Sequence, residues 1–134
     1  MRVLLDTSPL VALLNRRDAF HAWSIEQASE LPARLYTCEA VITEAHFLLA
    51  GVYQGNERLI QLMETEKLDL SFSVADHAKR IGTLMRTYGN VPMAFADACL
   101  VCMAEQEASR IFTLDSDFHI YRKHRKETLD LISP

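Results

Sequence analysis

Short apolar runs alternate with longer helical segments from one end of this chain to the other, and that alternation most constrains its fold. Arg2-Val-Leu-Leu5, Leu35-Tyr-Thr-Cys38, Leu68-Asp-Leu-Ser-Phe72, Arg110-Ile-Phe-Thr-Leu114 and Leu129-Asp-Leu-Ile132 read as strands. The first is continuously apolar up to Asp6, the pattern of a strand buried on both faces. Pro9 behind the hydroxyls of Thr7 and Ser8 is a start signal for a helix over Leu10–Asn15. A second helix is expected over His21–Leu31, with Trp23, Ile25, Ala28 and Leu31 inward and Pro32 as its stop. A third opens at Glu39 or Ala40 and runs to about Tyr53, with Val41, Ala45, Leu48 and Val52 as its apolar stripe. Gly55 is expected to end it and Asn56 to cap a fourth, through Lys67. Ser73 and Asp76 form a capping box for a helix through Tyr88, and Gly89-Asn-Val-Pro92 breaks the chain after it. Strand and helix in alternation predict an α/β fold, a mostly parallel sheet with helices on both faces, as one domain over 1–134. Ligands of such sheets gather beyond the carboxyl ends of the strands.

The segment from Met93 to Ala104 contains one residue at odds with the rest. Every residue in it is apolar except Asp97. It is too short to span a bilayer and reads as a core helix. A lone carboxylate there costs several kcal/mol unless it is paired or binds a metal. Three further acids stand where they are unexpected or well placed. Asp6 and Asp115 lie at the carboxyl ends of strands, and Glu44 lies one turn from both Val41 and Leu48 on an otherwise apolar face. Each has a plain alternative: Asp6, Asp115 or Asp117 capping a helix, Glu44 leaning into solvent, Asp97 pairing with an Arg or Lys.

Taken together, four carboxylates converging without a counter-charge would repel one another and resist ionisation. A divalent cation removes that difficulty, and an all-oxygen set suits Mg²⁺ or Mn²⁺ rather than zinc. Such sites serve hydrolysis or transfer at phosphorus. The charge balance agrees. The chain has 18 Asp and Glu against 14 Lys and Arg. Setting these four acids aside leaves the remainder neutral, so a net charge of −4 does not exclude a nucleic-acid partner. A basic patch, Arg122, Lys123, His124, Arg125 and Lys126, is expected on a short helix, either as a solvated face or as an RNA contact. His46 and His119 have no ligand spacing to another His. Cys99 and Cys102 form a C-x-x-C inside the apolar run, where two small core residues are the simpler reading. No signal-peptide pattern or membrane-length apolar run is present, and a cytoplasmic location is expected.

Val3-Leu-Leu-Asp-Thr-Ser8, Thr43-Glu-Ala-His-Phe-Leu-Leu49, Ala96-Asp-Ala98 and Thr113-Leu-Asp-Ser-Asp-Phe118 resemble, in order, the acidic motifs of PIN-domain ribonucleases. In style they are most similar to the VapC-type toxins of bacterial toxin–antitoxin pairs. The resemblance runs from Val3 to Ile132. It implies a PIN-like three-layer α/β/α sandwich, Mg²⁺- or Mn²⁺-dependent cleavage of RNA, a homodimer, and inhibition by a small antitoxin protein. It assigns Asp6, Glu44, Asp97 and Asp115 to catalysis and metal, with Asp117 as the spare acid of the last motif, and Ser8 and Thr113 as supporting residues. Met93 and Phe95 depart from the pattern by making the entry to the third motif bulky. Two rival readings stand beside this one. A phosphatase with Asp6 as nucleophile wants a second Asp at the position Ser8 occupies. A non-catalytic acidic binding module, an inactive PIN or receiver-like domain, needs only the fold.

Overall fold

The central strand is the apolar run that begins the chain. In this computed structural model, which describes residues 1–134, the elements in order are β1 (Arg2–Leu5), α1 (Thr7–Leu14), α2 (His21–Ser29), β2 (Leu35–Tyr36), α3 (Glu39–Leu48), α4 (Gly55–Glu64), β3 (Leu68–Asp69), α5 (Val74–Thr87), α6 (Phe95–Gln106), β4 (Ser109–Phe112), a 3-10 turn (Ser116–His119), β5 (Arg122–Lys123), β6 (Glu127–Thr128) and β7 (Asp130–Ile132). Five strands make one parallel sheet in the order β3-β2-β1-β4-β7, flanked by the helices as an α/β/α sandwich. Val3, Leu4 and Leu5 are all buried, as a strand covered on both faces requires. Leu5 pairs with Phe112 at the carboxyl end of the β1–β4 ladder.

That strand order positions the site. From β1 the chain moves outward through β2 to β3, then crosses back to add β4 on the other flank of β1. The connections leaving the carboxyl ends of β1 and β4 therefore diverge, and a crevice opens between them. Asp6 follows the first of these strands directly, and Thr113 follows the second.

α6 is the core helix foreseen for the Met93 run. Ala96 through Ala104 are all buried, and the helix packs on β1, β4 and α5. Cys99 and Cys102 are buried within it, and they and Cys38 are free thiols. The C-x-x-C is packing. α5 begins at the Ser73 cap as expected, with the Ser73 hydroxyl accepting from Asp76 N at 3.3 Å. Arg80 clasps Glu105 with two hydrogen bonds of 2.7 and 2.6 Å, tying α5 to the end of α6.

The structure departs from the sequence expectations at several places. α1 starts at Thr7, with Asp6 rather than a hydroxyl as its cap, so Pro9 sits inside the first turn, where its missing N–H is no loss. α3 stops at Leu48 rather than near Tyr53. Gln54 turns left-handed at φ 55°, and Gly55 opens α4 rather than ending α3. A Cβ on Gly55 would stand 3.0 Å from Val52 Cβ and 3.2 Å from Leu49 Cβ, so the close approach of α4 to the end of α3 requires glycine. The buried stripe of α3 is Val41, Ala45 and, just past its end, Leu49, which leaves Leu48 exposed. In α2 Trp23 packs edge-on against Phe112, whereas Ile25 faces out. β2 and β3 are shorter than the apolar runs that contain them, and β4 starts one residue early, at Ser109, and stops at Phe112.

The largest difference concerns the basic patch. It forms a β-hairpin rather than a helix: β5 pairs antiparallel with β6, Arg122 opposite Thr128 and Lys123 opposite Glu127. His124 and Arg125 take positive φ in its turn. The hairpin is anchored on the far end of α6, where His124 N donates to Glu105 Oε2 at 2.6 Å. No helix is long and apolar enough to cross a membrane.

Leu100 has no exposed surface. Leu100→Ala should lower the unfolding free energy by about 2–5 kcal/mol, read as a shift in the urea midpoint with an unchanged slope.

Candidate active site

Asp6 stands where β1 becomes α1, and it performs two local tasks at once. Its backbone N–H continues the β1–β4 ladder by donating to Phe112 O at 3.0 Å. Its side chain caps α1, Oδ1 accepting from Thr7 N at 2.8 Å. The other oxygen, Oδ2, accepts from the Thr113 hydroxyl at 2.7 Å. Thr113 is wholly buried, and its Oγ1 also accepts from Asp115 N at 2.9 Å. One hydroxyl thus ties the first acidic motif to the last. Ser8 reinforces the same join, its Oγ accepting from Leu114 N at 3.3 Å. Both supporting residues named from sequence lie at the site.

Glu44 is exposed on α3. The helix is rotated so that Val41, Ala45 and Leu49 take the core, and Glu44 shares the cleft-side rim with Leu48. Its Oε1 accepts from the Thr7 hydroxyl at 2.7 Å. Asp97 lies in the first turn of α6, 7% exposed, and its Oδ2 accepts from the buried Tyr121 hydroxyl at 2.8 Å. No Arg or Lys pairs with it. The chain's ion pairs use Arg2, Arg34, Arg80, Arg110 and Lys123 with other acids. Asp115 caps the 3-10 turn by accepting from Asp117 N at 2.9 Å, so its capping role and its place in the site coexist.

Asp6, Glu44, Asp97, Asp115 and Asp117 line one cleft of about 430 Å³, together with Thr7, Ser8, Leu48, Pro92, Ala94 and Leu114. No cationic side chain lines it. Met93 is buried and does not reach this cleft, while Phe95 lines a neighbouring cavity of about 730 Å³ that shares Glu44. The bulk before the third motif therefore shapes the ground beside the acids rather than their entrance. Of the basic patch, none lines the cleft. Arg122 Nη1 is used on the carbonyls of His119, Ile120 and Tyr121, and Lys123 stands 3.9 Å from Glu127.

Two residues of the site escaped the sequence reading. Thr7 left a usable signal, a hydroxyl directly after the strand-end acid. Tyr121 left none, because only folding brings it from beyond the 3-10 turn to Asp97. Its ring is held edge-on between Tyr88 and Phe118, with centroids at 5.1 and 5.3 Å.

The carboxylates surround the cleft without closing on one point. No three His, Cys, Asp or Glu side chains stand close enough together to hold an ion as they are. The donor chemistry nevertheless fits a hard divalent cation: all oxygens, no competing cation, and acids that suffer from one another's charge. Burial, above all, pushes the Asp6 carboxyl up to about 7, against the pull of Thr113 and Thr7, with Asp97 and Asp115 adding to the rise. Burial likewise pushes Asp97 up to about 6; Tyr121 opposes the rise, and Asp115, Glu44 and Asp117 add to it.

The sign of the resulting pH dependence follows. Between 3.8 and about 7 an unfolded Asp6 has lost a proton that the folded one keeps. Stability of the metal-free protein therefore falls as pH rises through that window and levels off above it. Asp97 acts with the same sign up to about 6. With chelator present, Asp6→Asn should raise Tm at pH 8 and flatten its decline between pH 5 and pH 8. Parallel Tm profiles for the two proteins would show that Asp6 carries no such cost.

Comparison with known proteins agrees with this fold. The family model described as the PIN domain matches residues 3–124. No curated protein matches the chain in sequence. Among solved structures, it is similar to Mycobacterium tuberculosis VapC20, described as a sarcin–ricin loop cleaving toxin. The TM-score is 0.77 at 18% identity, over 86% of this chain and 91% of that one. It is also similar to FitAB, solved bound to an IR36 DNA fragment, with a TM-score of 0.65 at 19% identity, over 98% of this chain and 94% of that one. At those identities the structural likeness is one of fold. The family match spans most of the chain, and this protein belongs to the PIN domain family.

Proposed function

We propose that this protein is a Mg²⁺- or Mn²⁺-dependent endoribonuclease of the VapC toxin type, folded as one domain over 1–134. The observation that carries the reading is the cleft at the carboxyl ends of β1 and β4, which five acids line and no cationic side chain enters. Membership of the PIN family supports it, as does the fold shared with a toxin described as cleaving the sarcin–ricin loop.

Asp6, Glu44, Asp97 and Asp115 are the residues that would hold the cation, with Asp117 beside them. A bound divalent ion supplies an activated water and stabilises the charge that develops at phosphorus during hydrolysis. The protein's own part is to hold the carboxylates still. Thr113 fixes Asp6, Thr7 fixes Glu44, and Tyr121 fixes Asp97, each through a bond that leaves further lone pairs of the carboxylate free. Asp97 lies in the amino-terminal turn of α6, whose dipole offsets part of the cost that burial imposes on its negative form. Glu44, exposed at the rim, is the acid best placed to meet an entering strand.

A small antitoxin and a second copy of the chain are the partners this reading implies, in the cytoplasm. The phosphatase alternative weakens at Ser8, whose hydroxyl is occupied by Leu114 N where a second carboxylate would be needed. The binding-module alternative keeps the fold and discards the chemistry, so metal and catalysis decide between them.

Purified protein incubated with total RNA should cleave it with Mn²⁺ and stop on addition of chelator. Asp97→Asn should reduce cleavage on the order of 100-fold or more, since Asp97 is among the residues that would hold the cation. Full activity in that variant would remove Asp97 from the site, and a Tm indifferent to Mn²⁺ would favour the binding module. Tyr121→Phe removes one hydroxyl and should weaken Mn²⁺ binding by about ten-fold, read as the Mn²⁺ concentration that half-saturates the Tm rise.

A further inference from the structure

A further cavity lies past the carboxyl ends of α1 and α3. It holds about 460 Å³ and is lined by Leu14, Asn15, Arg16, Arg17, Gly51, Val52, Tyr53 and Arg58. Three arginines face one space, and no acid is among its lining residues. None of the three takes part in an ion pair. In a chain with a net charge of −4 this is an unneutralised concentration of positive charge. Its walls are firm. Asn15 Oδ1 accepts from Arg17 N at 3.1 Å, shaping the turn after α1, and the Gln54–Gly55 turn presses the start of α4 against Val52 and Leu49.

The position connects it to the acids. α1 runs beneath, buried from Pro9 to Ala12, while α3 ends at Leu48 on the rim of the acid cleft and Gly51, Val52 and Tyr53, just past that end, line the cavity. From Ser8 to Leu14 is about 9 Å at a helical rise of about 1.5 Å per residue. Two aromatic rings stand out on the α3 side, Phe47 78% exposed and Tyr53 82% exposed. Cations beside exposed rings, a few residues from an acid cleft, are the features that hold single-stranded nucleic acid: charge for the phosphates, faces for the bases.

We propose that the Arg16–Arg17–Arg58 cavity, with Tyr53 at its edge, binds the phosphodiester backbone of single-stranded RNA and leads the strand over the exposed residues at the end of α3 to the acids. This rests on the ribonuclease reading for its purpose but not for its test. A fluorescent single-stranded RNA oligonucleotide, titrated with chelator present so that nothing is cut, reads the cavity alone. Arg16→Ala/Arg17→Ala/Arg58→Ala should weaken binding ten-fold or more and make the logarithmic salt slope shallower by about 2, as expected for about three lost phosphate contacts. The rise in Tm with Mn²⁺, which reports the acid cleft, should be the same in both proteins. If the triple variant does not fold, Arg16→Glu and Arg17→Glu, both at exposed side chains, carry the test singly.

Unchanged RNA affinity and salt slope in the variant would overturn the proposal, as would absence of RNA binding by the wild type. So would loss of binding to a poly-glutamate peptide with RNA binding intact, which would mark the cavity as a protein-docking site. Arginine-dependent RNA binding without Mn²⁺-dependent cleavage would leave this site standing and overturn the nuclease reading alone.

Discussion

The hydrogen bond from Thr113 Oγ1 to Asp6 Oδ2 is the join on which the site depends. Two neighbouring parallel strands end side by side, and their connections leave in opposite directions. Something must hold the two ends together at the point where the ladder stops. Thr113 does so twice over, donating to the acid after β1 and accepting from the backbone of the acid after β4. The same atom that closes the sheet therefore sets the relative positions of Asp6 and Asp115.

The cost of this arrangement is carried by charge. Asp6 and Asp97 are buried carboxylates, and neither has a cationic partner. Hydroxyl and backbone donors offset part of the burial but not all of it, so both resist ionisation. The rest of the structure supplies rigidity in compensation. α6 is packed on nearly all sides beyond Asp97, the Arg80–Glu105 clasp secures its far end, and Tyr121 is caged by two other rings. The frame thus holds two buried acids in place although burial, with their neighbours' charge added, opposes their ionisation.

Much of this was legible in the residues. β1 and α6 could be read because each is buried on nearly all sides, and total burial leaves an unambiguous apolar run. For the same reason a single acid inside such a run was conspicuous. Asp6 was readable from its place at the end of an apolar strand, and Glu44 from its neighbours Val41 and Leu48. The ends of α3 and α4 were not readable, because glycine marks a helix stop in most settings. Here Gly55 serves a close helix–helix approach instead, and that approach exists only in the folded chain. The basic patch went wrong for a related reason. Five polar residues in a row carry no periodicity, so hairpin and helix were indistinguishable until the backbone of His124 found Glu105 on α6.

What the sequence offered by itself is the fold class, the resemblance that named the family, and the acids that come to line one cleft, because these rest on local patterning, on short motifs and on residue types misplaced within them. What only the tertiary structure decided is who keeps those acids company. Tyr121 reaches Asp97 across 24 positions, Thr7 reaches Glu44 across 37, and Thr113 reaches Asp6 across 107. Such partners leave no trace in spacing or periodicity. They come together through chain reversals whose geometry is set by packing, and a hydroxyl reads the same in sequence whether it faces water or a buried carboxylate.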